Sequence, residues 1–274
     1  MIALRAAAAV WLAAGAAPLF AQHDEAPGPI TDNSFLIEEA FNQERGVVQH
    51  ISTFARADGG GAWTYSFTQE WPFHGMRNQL SYTVPVQHDE AEGTGVGDIG
   101  LNYRCQLVGL DGGSIYVAPR TTLLLPTGDE RRGRGAGGVG FQANLPVSIL
   151  PVPQIALHAN AGATWTPSAK GPLGAESGTL DANAGGSVIW LIRPSFNLLV
   201  EVLWYSRESV VAPNTEVRQD TWLVNPGVRW AFNFPSRLQI VPGVAYTIDL
   251  GNGDGADGLF LYLSFEHPFT RTSP

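Results

Sequence analysis

From about residue 46 onward the chain alternates apolar with polar side chains at a period of two, segment after segment, a pattern that leaves little room for anything but β-structure. In 61–71, GAWTYSFTQEW, the residues Trp63, Tyr65, Phe67 and Trp71 share one parity, while Thr64, Ser66, Thr68 and Glu70 share the other. Successive side chains of a strand point to opposite faces, so such a segment has one greasy and one wet side. Twelve strands are expected, at 46–56, 61–71, 78–87, 96–107, 113–125, 137–150, 153–166, 179–192, 195–207, 219–233, 237–249 and 258–267. Soluble sheets alternate in the same way, so other features must decide which solvent meets the greasy face.

The first of these is the start of the chain, where Arg5 precedes the apolar run AAAAVWLAAGAAPLFA and polar QHDEAPG follows it. This reads as a secretory signal over 1–21, cut after Ala21, and the run is shorter than the ~20 residues of a helical span. The alternative is a retained N-terminal anchor. Charged residues make up only 15% of the chain, beside 32 Gly and 19 Pro, whereas about a quarter is usual in soluble domains. A net charge of −9 argues against nucleic acid, which needs a basic footprint. Cys105 is the single cysteine, which excludes an intramolecular disulfide; it shares a face with Tyr103 and Leu107 and reads as an apolar filler rather than a reactive thiol.

The connectors are brief and long in turn. WPFHGM, LVGLDGG, LPVPQ, LIRPS and NFPSR are compact, whereas QHDEAEGTG, TGDERRGRGAG, TPSAKGPLGAESG, SRESVVAPNTEVRQ and DLGNGDGADG are longer and polar. Short turns on one rim and long loops on the other describe an outer-membrane barrel, and an even strand count suits its closure. Seven tryptophans, Trp63, Trp71, Trp165, Trp190, Trp204, Trp222 and Trp230, all take the greasy parity near strand ends. The pairs in 61–71 and 219–233 are eight residues apart, or roughly 20 Å along a tilted strand, which matches two aromatic girdles flanking an apolar band of ~25 Å. The fold expected is therefore all-β, an antiparallel transmembrane β-barrel of about twelve strands with a short N-terminal helix, in the outer membrane of a Gram-negative bacterium. The barrel is assigned to 46–269, a lead-in to 22–45 and a tail to 270–274. Within the lead-in, TDNSFLIEEAFNQE (31–44) predicts the helix, with Asp32, Asn33 or Ser34 as its cap; it serves either as a periplasmic lead-in or as a plug. Pro119, Pro226 and Pro242 fall inside expected strands, where each favours a bulge or a strand end.

Several stretches resemble one family. ITDNSFLIEEAFNQERGVVQHI (30–51), FTQEWPF (67–73), QLSYTVPV (79–86), GVGDIGLNYR (95–104), APRTTLLLPTGD (118–129), NPGVRW (225–230) and LFLYLSFEHPF (259–269) are similar to outer-membrane transporters grouped with the meta-pathway phenol-degradation family. The resemblance implies a barrel that passes small, often aromatic or apolar, compounds and brings no catalytic residue with it.

Motifs of chemistry are few. GxGxxG occurs at Gly95–Gly100 and Gly133–Gly138, but without the strand-to-helix turn of a dinucleotide site, so both read as loop and strand glycines. The acidic stretch with Asp249, Asp254 and Asp257 lacks the EF-hand spacing; a weak calcium or lipopolysaccharide-bridging site is the alternative reading. His50 and Ser52 share a strand face, as in an outer-membrane phospholipase, yet the parity adopted places them with Arg56 in the lumen and assigns no orienting acid. Transport candidates follow from the polar parity: His50, Arg56 and Glu70 on the first two strands, Asp98, Arg104 and Arg120 on the next walls, His158, Glu201 and Arg207 beyond, and Arg229 and Glu266 near the end. Buried charges need partners, and Glu201 with Arg229 is the pair expected. These residues form either a selectivity constriction or a network that fills the barrel. The function expected is a porin-like passive channel or uptake transporter for small, aromatic or hydrophobic organic compounds, with a non-conducting structural or surface-interaction barrel as the alternative. No enzyme activity, cofactor or metal is expected; the partners are outer-membrane lipid and lipopolysaccharide, the barrel-insertion machinery and small organic solutes.

Overall fold

The computed structural model describes Ile30, residues 34–251 and residues 257–269. The expected signal at 1–21, positions 31–33 of the expected helix, and the tail 270–274 lie outside the described residues. Fifteen strand segments follow one another: β1 (Val47–Ala57), β2 (Trp63–Phe73), β3 (Asn78–Asp89), β4 (Gly93–Val96), β5 (Ile99–Cys105), β6 (Ile115–Val117), β7 (Arg120–Leu125), β8 (Gly140–Val152), β9 (Ile155–Lys170), β10 (Glu176–Arg193), β11 (Phe196–Ala212), β12 (Thr215–Trp230), β13 (Phe232–Asn233), β14 (Gln239–Asp249) and β15 (Gly258–Pro268). β4 and β5 form one wall broken at Gly97 and Asp98, β6 and β7 one wall broken at Ala118 and Pro119, and β13 continues β12 past Ala231. The result is a closed antiparallel barrel of twelve strands. Closure comes from pairing of β1 with β15 and of β12 with β14, which leaves no edge to be satisfied in lipid.

The prolines act as their missing N–H groups require. Pro119 sits in the break between β6 and β7. At Pro226 the β12–β14 ladder is interrupted, running from Val224↔Ile248 directly to Gly227↔Ala245. Pro242 instead stays in register opposite Leu263.

Three expected loops are mostly strand; of QHDEAEGTG only Glu90, Ala91 and Glu92 lie between β3 and β4. TPSAKGPLGAESG is largely absorbed by β9 and β10, leaving a connection built around the 3-10 turn Pro172–Gly174. SRESVVAPNTEVRQ is a hairpin with only Pro213 and Asn214 between β11 and β12, Asn214 taking a φ of 53°. Polar composition suggested loops there, but a ladder that rises into water needs no apolar face. The walls β9 to β12, of 16 to 18 residues, therefore stand higher than β1 to β3, of 11 or 12.

Outside, the barrel is apolar: Leu101, Phe141, Leu145, Val188, Val200 and Leu261 are all exposed. The seven tryptophans take this outward parity. Trp204 lies opposite Trp222, their ring centroids 6.4 Å apart. Beyond that pair the outward positions turn polar, with Ser206 opposite Asp220 and Glu208 opposite Arg218. That change of solvent within one strand marks where the apolar band stops.

Candidate functional site

Residues 34–44 run through the barrel without helix, as bends and coil, which corrects the expected helix over those residues. The physical reason lies in the wall. Buried backbone N–H groups must find acceptors, and the lumen supplies them from side chains. Glu201 Oε1 accepts from the N–H of Leu36 at 2.8 Å and of Ile37 at 2.9 Å; Ser148 Oγ accepts from Ala40 at 2.8 Å. Gln106 Oε1 accepts from Asn42 at 3.1 Å, and Gln79 Oε1 from Gln43 at 2.7 Å. The carbonyls are met as well: Gln106 Nε2 donates to Ala40 O at 2.7 Å, and Arg104 donates to Glu39 O and Phe41 O at 3.0 and 2.6 Å.

The lumen has two unlike sides, and the segment matches both. Over β10, β11, β14 and β15 the inward residues Ile189, Leu199, Val241, Phe260 and Tyr262 are buried in one apolar cluster with Phe35, flanked by the polar Ser187, Asn197, Glu201 and Ser264. Phe35 lies 5.6 Å from the Phe260 ring and 5.2 Å from Tyr262, centroid to centroid. It fits because the wall is hollowed beside it: a Cβ on Gly243 would come within 2.5 Å of the Phe35 ring, and one on Gly227 within 2.6 Å. Gly185 leaves the same space for Ile37, at 2.5 Å.

The opposite side, over β2 to β9, is polar and charged. Glu38 accepts from Arg120 Nε at 2.8 and 2.9 Å and from Asn144 Nδ2 at 2.8 Å. Arg104, almost wholly buried, lies 3.5 Å from Glu38, 3.6 Å from Glu39 and 3.6 Å from Glu70. Gln79 Nε2 donates to Glu70 at 2.7 Å. Burial alone raises the Glu38 pKa, but Arg120 and Arg104 beside it, with the Asn144 hydrogen bond, outweigh this and hold its carboxyl below the ordinary range. Cavities of 220 and 230 Å³ flank the segment, and Glu38 lines both.

Of the candidates named from parity, Glu70, Arg104, Arg120, His158, Glu201, Arg229 and Glu266 point inward. His50 and Arg56 do not, and this is a correction. Gln49, opposite Glu70, and Ile51 are the inward residues of β1, so Ser52 lies opposite Phe67 and Leu263 on the outer face. His50 stacks there on Phe67 and His267, and the Ser52 hydroxyl meets Tyr65 Oη at 3.1 Å. The parity argument against a lipase therefore fails, but Ser52 is committed to Tyr65 and not to His50. The expected Glu201–Arg229 pair is also corrected. Register sets Glu201 opposite Asn225, which donates to it at 2.7 Å, and Arg229 opposite Asn197. Arg229 and Asn197 both donate to Ile30 O, at 2.9 and 2.7 Å. Arg207 stands exposed, its guanidinium 5.1 Å from the Tyr205 ring. His158 shares a hydrogen bond of 2.7 Å with Ser148, deep in the barrel beside Phe41.

Asp98 has a local task. Its carboxylate accepts from Gly128 N at 2.9 Å and Ala136 N at 2.8 Å, tying down the loop between β7 and β8. The two GxGxxG stretches interlock here: Gly135 leaves room for Asp98, and Gly95 for the Arg134 side chain. Of the acidic stretch, Asp254 lies outside the described residues, while Asp249 and Asp257 accept from Gly251 N and Asp249 N at 2.8 and 2.9 Å. Sequence reasoning missed Gln79, Gln106, Ser148 and Asn144, which grip the segment, and the glycine sockets. Inward parity of amides, and of glycine in otherwise bulky strands, was the available signal.

No family model matches the chain, and no curated protein matches it in sequence. Among solved structures it is similar to an outer-membrane channel from Pseudomonas putida F1, with a TM-score of 0.64 at 13% identity over 83% of this chain and 97% of that one. The KdgM porin matches with a TM-score of 0.49 at 7% identity, over 82% of this chain and 99% of that one. The CymD monoaromatic hydrocarbon channel matches at 0.39 and 10% identity, over 84% and 90%. The fold and its apolar exterior make the chain a twelve-stranded β-barrel of the bacterial outer membrane, with its own residues 34–44 laid through the bore.

Proposed function

We propose that this barrel is a channel or uptake port for small organic molecules, aromatic or hydrophobic in character, held shut in the state described here by residues 34–44. One observation carries this reading: the bore is filled by a separate segment lying against the walls, with a cavity on each side of Glu38, rather than by wall side chains meeting across it. Without the segment, Arg104 and Arg120 would face Glu70 as the one carboxylate of their cluster, and a net positive constriction favours anions. The substrate class follows the motif resemblance to the phenol-degradation family. In this reading 1–21 is removed on export, the barrel-insertion machinery places 46–269 in the membrane, and the outward tryptophans meet the lipid and lipopolysaccharide interface. The barrel is not an enzyme.

A non-conducting structural barrel is the second reading, favoured by the way Arg104 ties Glu38, Glu39 and Glu70 together. Planar-bilayer recording of wild type against a variant lacking 34–44, both checked for heat-modifiable gel mobility, separates the two. The channel reading expects larger, anion-preferring steps from the deletion. A deletion variant that is folded and silent refutes it.

A further inference from the structure

Arg104 and Arg120 stand directly opposite each other in the β5–β7 ladder, both turned into the bore. Like charges so placed repel, and the wall answers only one of them. Glu70 lies 3.6 Å from Arg104, whereas among the described residues the sole salt bridge of Arg120 is to Glu38, on the segment.

Arg120 does not depend on the segment for its position. Its Nη1 donates to Asn102 Oδ1 at 2.9 Å and to the Thr122 hydroxyl, and its Nη2 to Gln142 Oε1 at 3.0 Å, all of them wall residues. Asn144 is its ladder partner on β8. These two neighbours hold one carboxylate between them: Arg120 Nε donates to both Glu38 oxygens, at 2.8 and 2.9 Å, and Asn144 Nδ2 to Oε2 at 2.8 Å. Arg104 differs, since its donors go to Asn42 Oδ1 and to the carbonyls of Glu39 and Phe41, on the segment itself. A clamp ordered by the wall and filled by a side chain from outside it is preorganised for another carboxylate.

The clamp also borders open space. Glu38 and Arg120 each keep 20% of their side-chain surface, and both line both of the flanking cavities. The 220 Å³ cavity has a mixed lining, with Leu36, Leu203 and Tyr205 beside the amides of Gln142 and Asn183. A mixed wall with a few convergent polar groups suits a small organic acid.

We propose that Arg120 and Asn144, with Arg104, form a carboxylate-recognition site in the bore, that Glu38 fills it in the closed state as an internal surrogate, and that a small organic carboxylate entering the flanking cavity displaces Glu38 and loosens residues 34–44. The inference rests on the reading of 34–44 as a closing segment and names organic acids as the solutes that open it. Exchange of one carboxylate for another keeps the Arg120 charge balanced, whereas a neutral analogue would leave it without a counter-ion.

Calorimetric titration of the purified full-length protein in detergent tests the site, with propionate and its neutral isostere propionamide as probes at matched ionic strength. Glu38→Ala vacates the clamp and should bind propionate one to one, at least tenfold tighter than wild type, where Glu38 competes. Propionamide should bind this variant at least tenfold more weakly, and Arg120→Gln added to it should weaken propionate at least tenfold. In proteoliposomes of an otherwise intact Leu36→Cys, Cys105→Ser protein, propionate should raise the rate of reaction with a membrane-impermeant maleimide at least threefold, and equal sodium chloride or propionamide should not. A folded Glu38→Ala variant that binds no propionate, binds it no tighter than wild type, binds propionamide equally, or keeps its affinity when Arg120→Gln is added overturns the proposal. So does a labelling rate that propionate leaves unchanged. If Glu38→Ala does not fold, the labelling series decides alone. Binding is read without flux: a barrel that binds propionate and never conducts refutes the channel reading alone, and one that conducts after deletion of 34–44 but binds no propionate refutes this inference alone.

Discussion

Replacing Phe35 with alanine should open the bore without disturbing the barrel. The ring is 7% exposed and sits against Phe260 and Tyr262 in the hollow left by Gly227 and Gly243. Truncating a buried phenylalanine costs ~3–5 kcal/mol. Phe35 belongs to no wall and contributes no ladder bond, so the loss falls on docking of 34–44 and not on strand pairing. At ~1.4 kcal/mol per tenfold, even the lower figure raises the undocked fraction about 100-fold. Single-channel recording reads this as open probability; a Leu36→Cys label, on a Cys105→Ser background, reads it as the rate of reaction with a membrane-impermeant maleimide. Gly243→Ala attacks the same contact from the wall, where the added methyl would fall 2.5 Å from the ring and overpacking costs ~1–3 kcal/mol. In the Phe35→Ala background the same glycine substitution should have little further effect on docking, because the ring has gone and the close contact left, Arg229 Cβ at 3.2 Å, belongs to the wall. Open probability and labelling rate within threefold of wild type in Phe35→Ala, with gel mobility unchanged, would refute the socket.

Two further outcomes are expected. The docked segment favours the ionised form of Glu38, whose pKa is held down, so this carboxylate's share of docking is complete above its ordinary range near pH 4.3 and is lost as pH falls through the lowered value. Conductance should therefore rise below about pH 4, and Glu38→Gln should flatten that part of the profile, leaving whatever Glu39, Glu70 and Glu201 contribute; an unchanged profile counts against the Glu38 linkage. Asp98→Ala removes two charge-assisted bonds to loop N–H groups, at ~1.5–3 kcal/mol each. Trypsin should then cut faster at Arg131 and Arg132 in intact proteoliposomes, and an unaltered cleavage rate would show that the loop is held by other contacts.

The outward parity of most walls was legible because lipid imposes it locally. Where every second residue is large and apolar, as at Leu259, Leu261 and Leu263, no partner strand is needed to say which way it points. β1 carries no such instruction: Ile51 shares a parity with Gln49 and Thr53, and Phe54 with His50, Ser52 and Arg56. Only its register, with Ser52 against Phe67 and Leu263, decides the face. The height of β9 to β12 was hidden for a related reason, since a strand in water and a polar loop have similar compositions.

By itself, then, the sequence determined a β-barrel, its strand count and the lipid face of the walls other than β1, all of which follow from a period of two read against one uniform solvent. What fills the bore was decided only in three dimensions. Residues 34–44 have the capping and spacing of a helix, and in isolation their N–H groups would seek carbonyls four residues back. Inside the barrel Glu201, Ser148, Gln106 and Gln79, drawn from four walls, offer acceptors at hydrogen-bonding distance while Gly185, Gly227 and Gly243 make room for Phe35 and Ile37. Those partners are brought together by closure of the sheet, and no local pattern in the chain records it.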